Sequence, residues 1–121
     1  MRLEITATAY QDLDEIEAYT VRVWGAAQAE KYLDSIYAAI DRIMEAPSHL
    51  LKSNARISAN LVFYRVEKHL IFCDVNEDCL SVLTIQHAAR DLPSRLAKFE
   101  ASLPSDAAIL HKKAQATRKN A

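Results

Sequence analysis

Between residues 61 and 92 the apolar positions gather into three short runs, 61–66, 69–75 and 80–86. They are rich in Val, Ile, Leu, Phe and Tyr, and are divided by Glu67-Lys68 and by Asn76-Glu77-Asp78. Runs of that length and composition between polar breaks read as β-strands. The gaps are too small for the crossover of a dozen or more residues that parallel pairing needs, so the three runs form a hairpin meander. The third run is apolar at Leu80, Val82, Leu83 and Ile85, on both parities. Such a strand is interior and covered on both faces. It leaves the sheet through Gln86-His87-Ala88-Ala89-Arg90-Asp91-Leu92-Pro93, which sets polar groups where a buried strand reaches solvent.

Upstream the period changes. Residues 2–6 alternate, with Leu3 and Ile5 on one side, and predict a short strand. Thr6 and Thr8 are both placed to cap a following helix, and Thr8 with Gln11 has the capping-box spacing. Ala9, Leu13, Ile16, Thr20 and Val23 then recur at helical spacing, with Asp12, Asp14, Glu15 and Glu17 near the helix start, where the dipole favours acids. Gly25, the only glycine, follows Trp24 and predicts a helix stop at positive φ that turns the chain into a second helix over 26–46. Its stripe is Ala29, Tyr32, Leu33, Ile36, Ile40, Ile43 and Met44, and Pro47 lies past its end. Residues 47–60 lack periodicity and read as a loop, with one strand-like turn around 56–58. After Pro93, residues 94–103 form a short amphipathic helix with Leu96, Phe99 and Leu103 on one side and Ser94 as its cap. The predicted class is α+β, a helical hairpin packed on an antiparallel sheet.

Composition changes this picture little. One domain over residues 1–103 suits the chain's 121 residues, half hydrophobic and a quarter charged. No apolar run reaches the length of a membrane helix, and the start lacks a signal-peptide core, so a cytoplasmic protein is expected. Cys73 and Cys79 flank a tight loop and are expected as buried thiols. Charge is uneven. Residues 104–121 carry four Lys/Arg against one Asp, whereas residues 1–103 carry eleven Lys/Arg against fifteen Asp/Glu. The tail reads as a basic appendage on an acidic body: either a solvated end or an arm for nucleic acid or an acidic partner.

Motifs for catalysis are sparse. There is no Gly-rich phosphate loop, no CxxC, no HExxH and no G-x-S-x-G, and the four histidines lack ligand-spaced neighbours, so no metal and no cofactor are expected. The acids of the first helix read as a solvated face. One constellation stands out: His87, Arg90 and Asp91 at the strand exit, where imidazole, guanidinium and carboxylate share one small surface. Its structural reading is a turn capped by Asp91 with Arg90 paired to it.

The segments ITATAYQDLDEIEAY, VWGAAQAEKYLDSIYAAIDRIMEAP, HLIFCDV and LSVLTIQHAARDL, in this order over residues 3–96, resemble the ParE/RelE toxin superfamily of bacterial toxin–antitoxin modules. The carrying features are the Asp-Leu-x-x-Ile core, the Trp-Gly joint, a helix ending before Pro, and a last strand running into His-x-x-x-Asp. RelE-like members are ribosome-dependent mRNA endonucleases whose strand motif resembles Arg-Val-Gly-Asp-Tyr-Arg. Here that stretch is Arg65-Val66-Glu67-Lys68-His69-Leu70, with leucine in place of the second arginine, and no tyrosine follows His87. As a ribonuclease the chain would have only Arg65, His87 and Arg90 to activate a 2′-hydroxyl and stabilise the transition state.

The strand exit is instead similar to the ParE branch. That resemblance implies a poison of DNA gyrase without bond-breaking residues, touching its target through Arg65, His87, Arg90 and Asp91. The alternatives are the RelE-like endonuclease and an inactive or differently targeted member. A cognate antitoxin is implied as partner, held by Tyr10, Tyr19 and Tyr37, with Trp24 a further anchor or part of the core. No membrane association and no sequence-specific DNA binding by the toxin alone are implied.

Overall fold

The computed structural model describes residues 1–89 and 92–96, and of residues 58–60 the backbone only. In chain order its elements are β1 (Arg2–Ile5), α1 (Ala7–Trp24), α2 (Ala26–Glu45), α3 (Pro47–Leu50), β2 (Lys52–Asn54), β3 (Ser58–Val66), β4 (His69–Val75) and β5 (Cys79–His87). One sheet takes all five strands in the order β1-β5-β4-β3-β2. The meander β3-β4-β5 is antiparallel throughout, as its short breaks require. β1 departs from the expected antiparallel sheet, pairing parallel with β5 from Arg2↔Cys79 to Ile5↔Val82. Everything between the first and last strands forms their connection, so the hairpin constraint never applies to that pair.

Thr6 fastens the junction of β1, α1 and β5. Its extended backbone caps α1, the side chain accepting from Ala9 N–H at 2.9 Å. The same hydroxyl donates to the Leu83 carbonyl at 2.6 Å, and the Thr6 N–H donates to Val82 at 3.0 Å. Of the two threonines able to cap, the one that also reaches the sheet is used. Gly25 ends α1 at φ 92°, and its N–H returns to the Val21 carbonyl at 3.0 Å. That backbone lies in the left-handed region, which only glycine adopts without strain.

Two clusters hold the layers. On the helix side Ala9, Leu13, Ile16, Leu33, Ile36, Ile40 and Ile43 meet Val66, Ile71, Cys73, Leu80, Val82 and Ile85. On the other side Leu61, Leu70, Phe72 and Leu83 pack with Leu92 and Leu96, so β4 and β5 are covered on both faces. Val23 falls off the expected stripe and is 47% exposed. The expected loop over 47–60 contains α3 and β2. β2 is three exposed residues paired to β3, a polar edge strand with no apolar signature to read. The turn at 55–57 precedes β3, which begins at residue 58 and not 61. Residues 92–96 are helical, so the last helix starts before Ser94 and Pro93 lies inside its first turn, where its missing N–H costs nothing. Phe99, Leu103 and the tail 104–121 lie outside the described residues. Both cysteines are buried free thiols.

Candidate functional site

A one-residue bulge in β5 decides what stands at the strand exit. From Val75↔Leu80 to Cys73↔Val82 the β4–β5 register is regular; it then shifts, and Phe72 pairs Thr84, Ile71 pairs Ile85 and His69 pairs His87. Without the shift Gln86 would face His69. The unpaired groups that a bulge creates are satisfied from α1 and its cap. Leu83 gives its carbonyl to Thr6, while the Asp12 carboxylate accepts from the Thr84 hydroxyl at 2.5 Å and from Ile85 N–H at 3.0 Å. Thr84 is fully buried. Asp12, expected on a solvated face, is therefore a structural link between α1 and β5.

The bulge sets two imidazoles against each other. The His69 and His87 rings are 5.1 Å apart, edge to face. From the helix layer Tyr32 points its hydroxyl at His69 Nδ1, 2.5 Å away, with the rings edge to face at 5.4 Å. Lys68 N–H donates to the same hydroxyl at 3.4 Å, which orients the Tyr32 proton toward His69. Burial pushes the Tyr32 hydroxyl above its ordinary pKa, and the Lys68 bond opposes this. His87 Nδ1 accepts Ala89 N–H at 3.0 Å, so neutral His87 carries its proton on Nε2. The turn itself is held by Ala88 N–H donating to Lys68 at 2.8 Å, and Glu67 takes φ 50° to make it. Together these groups form one end of a groove of about 830 Å3, whose other wall is α1 from Asp12 to Trp24.

Alternation along the strands separates two of the expected site residues. His69 shares its face with Ile71 and Cys73, and His87 shares it with Ile85, all on the helix side. Arg65 shares its face with Leu61 and Phe63 and stands opposite Leu70, on the other side of the sheet. Its guanidinium curls to the turn, Nε donating to the Glu67 carbonyl at 2.9 Å. Arg90 and Asp91 lie outside the described residues. Tyr10, Tyr19 and Tyr37 are 54%, 55% and 44% exposed, and Trp24, at 65%, belongs to the surface and not the core. Among the described residues no group of three or more His, Cys, Asp or Glu could hold a metal ion, and no helix is long and apolar enough to cross a membrane.

Sequence reading singled out His87 but not His69, Tyr32 or Asp12. His69 heads its strand directly after the turn, which was visible; its pairing with His87 depends on the bulge, which was not.

The model of the family described as ParE toxin of type II toxin–antitoxin system, parDE, matches residues 3–92, from the first strand through the strand exit. This chain belongs to the ParE toxin family. Toxin ParE of Escherichia coli is 37% identical to it over 97 residues, covering 77% of this chain and 90% of that protein. In fold, the ParE-family toxin is similar to a chain of the chromosomal ParDE system from P. aeruginosa. That match has a TM-score of 0.63 at 19% identity, over 72% of this chain and 95% of the other. The matched family segment contains the helical hairpin, the sheet from Leu3 onward and the groove, and stops short of the basic tail of this toxin.

Proposed function

We propose that this toxin acts by binding. It holds DNA gyrase in its cleaved-DNA state through the strand-exit surface of Arg65, His87, Arg90 and Asp91, and does so in the cytoplasm. The observation that carries the choice over ribonuclease is the placement of Arg65 and His87 on opposite faces of the sheet. Cleaving RNA needs a proton acceptor and a cation around one phosphate, within hydrogen-bond reach. A protein target spans the end of a sheet and can touch both faces.

Neutralisation is by an antitoxin encoded beside the toxin, whose segment packs on Tyr10, Tyr19 and Tyr37. Three exposed tyrosines on two adjoining helices are the rigid aromatic anchors that such a segment uses. Expression of the toxin alone should arrest growth, and co-expression of the adjoining gene should restore it. Replacing the three tyrosines by alanine should abolish rescue and leave growth arrest intact. Unchanged rescue of that variant would place the antitoxin elsewhere.

A further inference from the structure

The groove has the wrong charge for a nucleic acid and the right one for a basic peptide. Its apolar lining includes Ile16, Ile85 and Trp24, and Asp12, Glu15 and Glu67 add three carboxylates against Lys68. Asp12 is committed to β5, whereas Glu15 and Glu67 are exposed. A phosphate backbone is repelled from such a lining. A segment with an apolar pair followed by lysines matches it, with cations over the Trp24 ring adding attraction.

The chain carries one such segment. Ile109-Leu110-His111-Lys112-Lys113 is an apolar pair followed by a basic stretch, and Arg118-Lys119 follow five residues on. With residues 97–103 helical, as the sequence predicts, the link from Leu96 to Ile109 still extends to roughly 30 Å, and His87 on the groove lies only nine residues before Leu96. It therefore reaches the groove although Leu96 packs on the opposite face of the sheet. We propose that the groove is the docking site of the toxin's own basic C-terminal segment, residues 109–119, in cis. Any partner entering the groove then has to displace it. Tethering supplies a local concentration in the millimolar range, so weak contacts suffice to fill the site.

Trp24 is the only tryptophan and lines the groove, so its fluorescence reports occupancy. Quenching by acrylamide, which is uncharged, is measured on four full-length chains. These are the wild type, a tail reversal (Lys112→Glu, Lys113→Glu, Arg118→Glu, Lys119→Glu), a groove reversal (Glu15→Lys, Glu67→Lys) and both together. Each single reversal should steepen quenching about twofold, as expected where a millimolar tether half-fills the site or better. The combined reversal should restore the wild-type slope, and the wild-type slope should not change with protein concentration. Equal quenching in the wild type and the tail reversal overturns the proposal. So does failure of the combined chain to recover, or protection that grows with concentration, which would mean docking between copies. Neither gyrase nor antitoxin is present, so the result is independent of the proposed target.

Discussion

Asp12 and Thr84 meet across the boundary between α1 and β5, hydroxyl to carboxylate at 2.5 Å, at the bulge that brings His87 opposite His69. A bulge re-aims the side chains beyond it by one residue, so it survives only where its unpaired groups find partners. Here the partners come from the other layer. The helix hairpin thus does more than cover the sheet: it sets the register of the strand that carries the exit.

Asp12→Ala should be costly for that reason. It leaves a fully buried hydroxyl and a strand N–H without their acceptor, at about 1–3 kcal/mol for each such group. Asp14→Ala, two residues further along α1 and exposed, should change stability by less than about 0.5 kcal/mol. Urea denaturation of both variants makes the comparison. The His87 ring resonances should move in Asp12→Ala and stay put in Asp14→Ala.

Thr6→Val tests the second support. It removes a helix cap worth about 1 kcal/mol and strips the Leu83 carbonyl of its donor, for a combined loss of roughly 2–3 kcal/mol. Thr6→Ser keeps the hydroxyl and should recover most of the loss in the same denaturation experiment.

Most of the fold was legible because period and composition agree with it. The switch from helical spacing to short β-runs, the glycine after Trp24 and the polar breaks of the meander each have a local cause. What was not legible has causes that lie far apart in sequence. β2 is polar and exists only because β3 offers it an edge. The bulge depends on Thr6 and Asp12, more than seventy residues from the groups that they satisfy. The exit histidine was readable as the end of an interior strand; its partners His69 and Tyr32 were not, because one residue of register decides whether they meet. The separation of Arg65 from His87 rests on the same bulge: in regular register His87 would fall on the face of Leu70 and Arg65.

Alkaline pH offers a test of the interior. Burial, with the Asp74 carboxylate adding to it, pushes the Cys73 thiol from 9.0 up to about 12. A raised pKa means that the unfolded state loses its proton first, so stability is full below pH 9 and declines as pH rises toward 12. Tyr32 has the same sign, declining above its ordinary value of 10.0. Between pH 9 and 10 the decline therefore belongs mainly to Cys73 of these two, approaching about 1.4 kcal/mol per pH unit. Cys73→Ala should flatten the unfolding free energy over most of that interval, and Tyr32→Phe should alter it mainly from about pH 10 upward. Equal slopes in the wild type and Cys73→Ala would contradict the burial of a neutral thiol.

The central claim is that the toxin binds gyrase and traps it. Purified toxin, gyrase, ATP and relaxed plasmid are incubated, stopped with detergent and protease, and resolved on a gel, beside translating ribosomes given the same toxin. The account predicts linear plasmid and loss of supercoiling with intact mRNA. Normal supercoiling with codon-phased mRNA cleavage would contradict it.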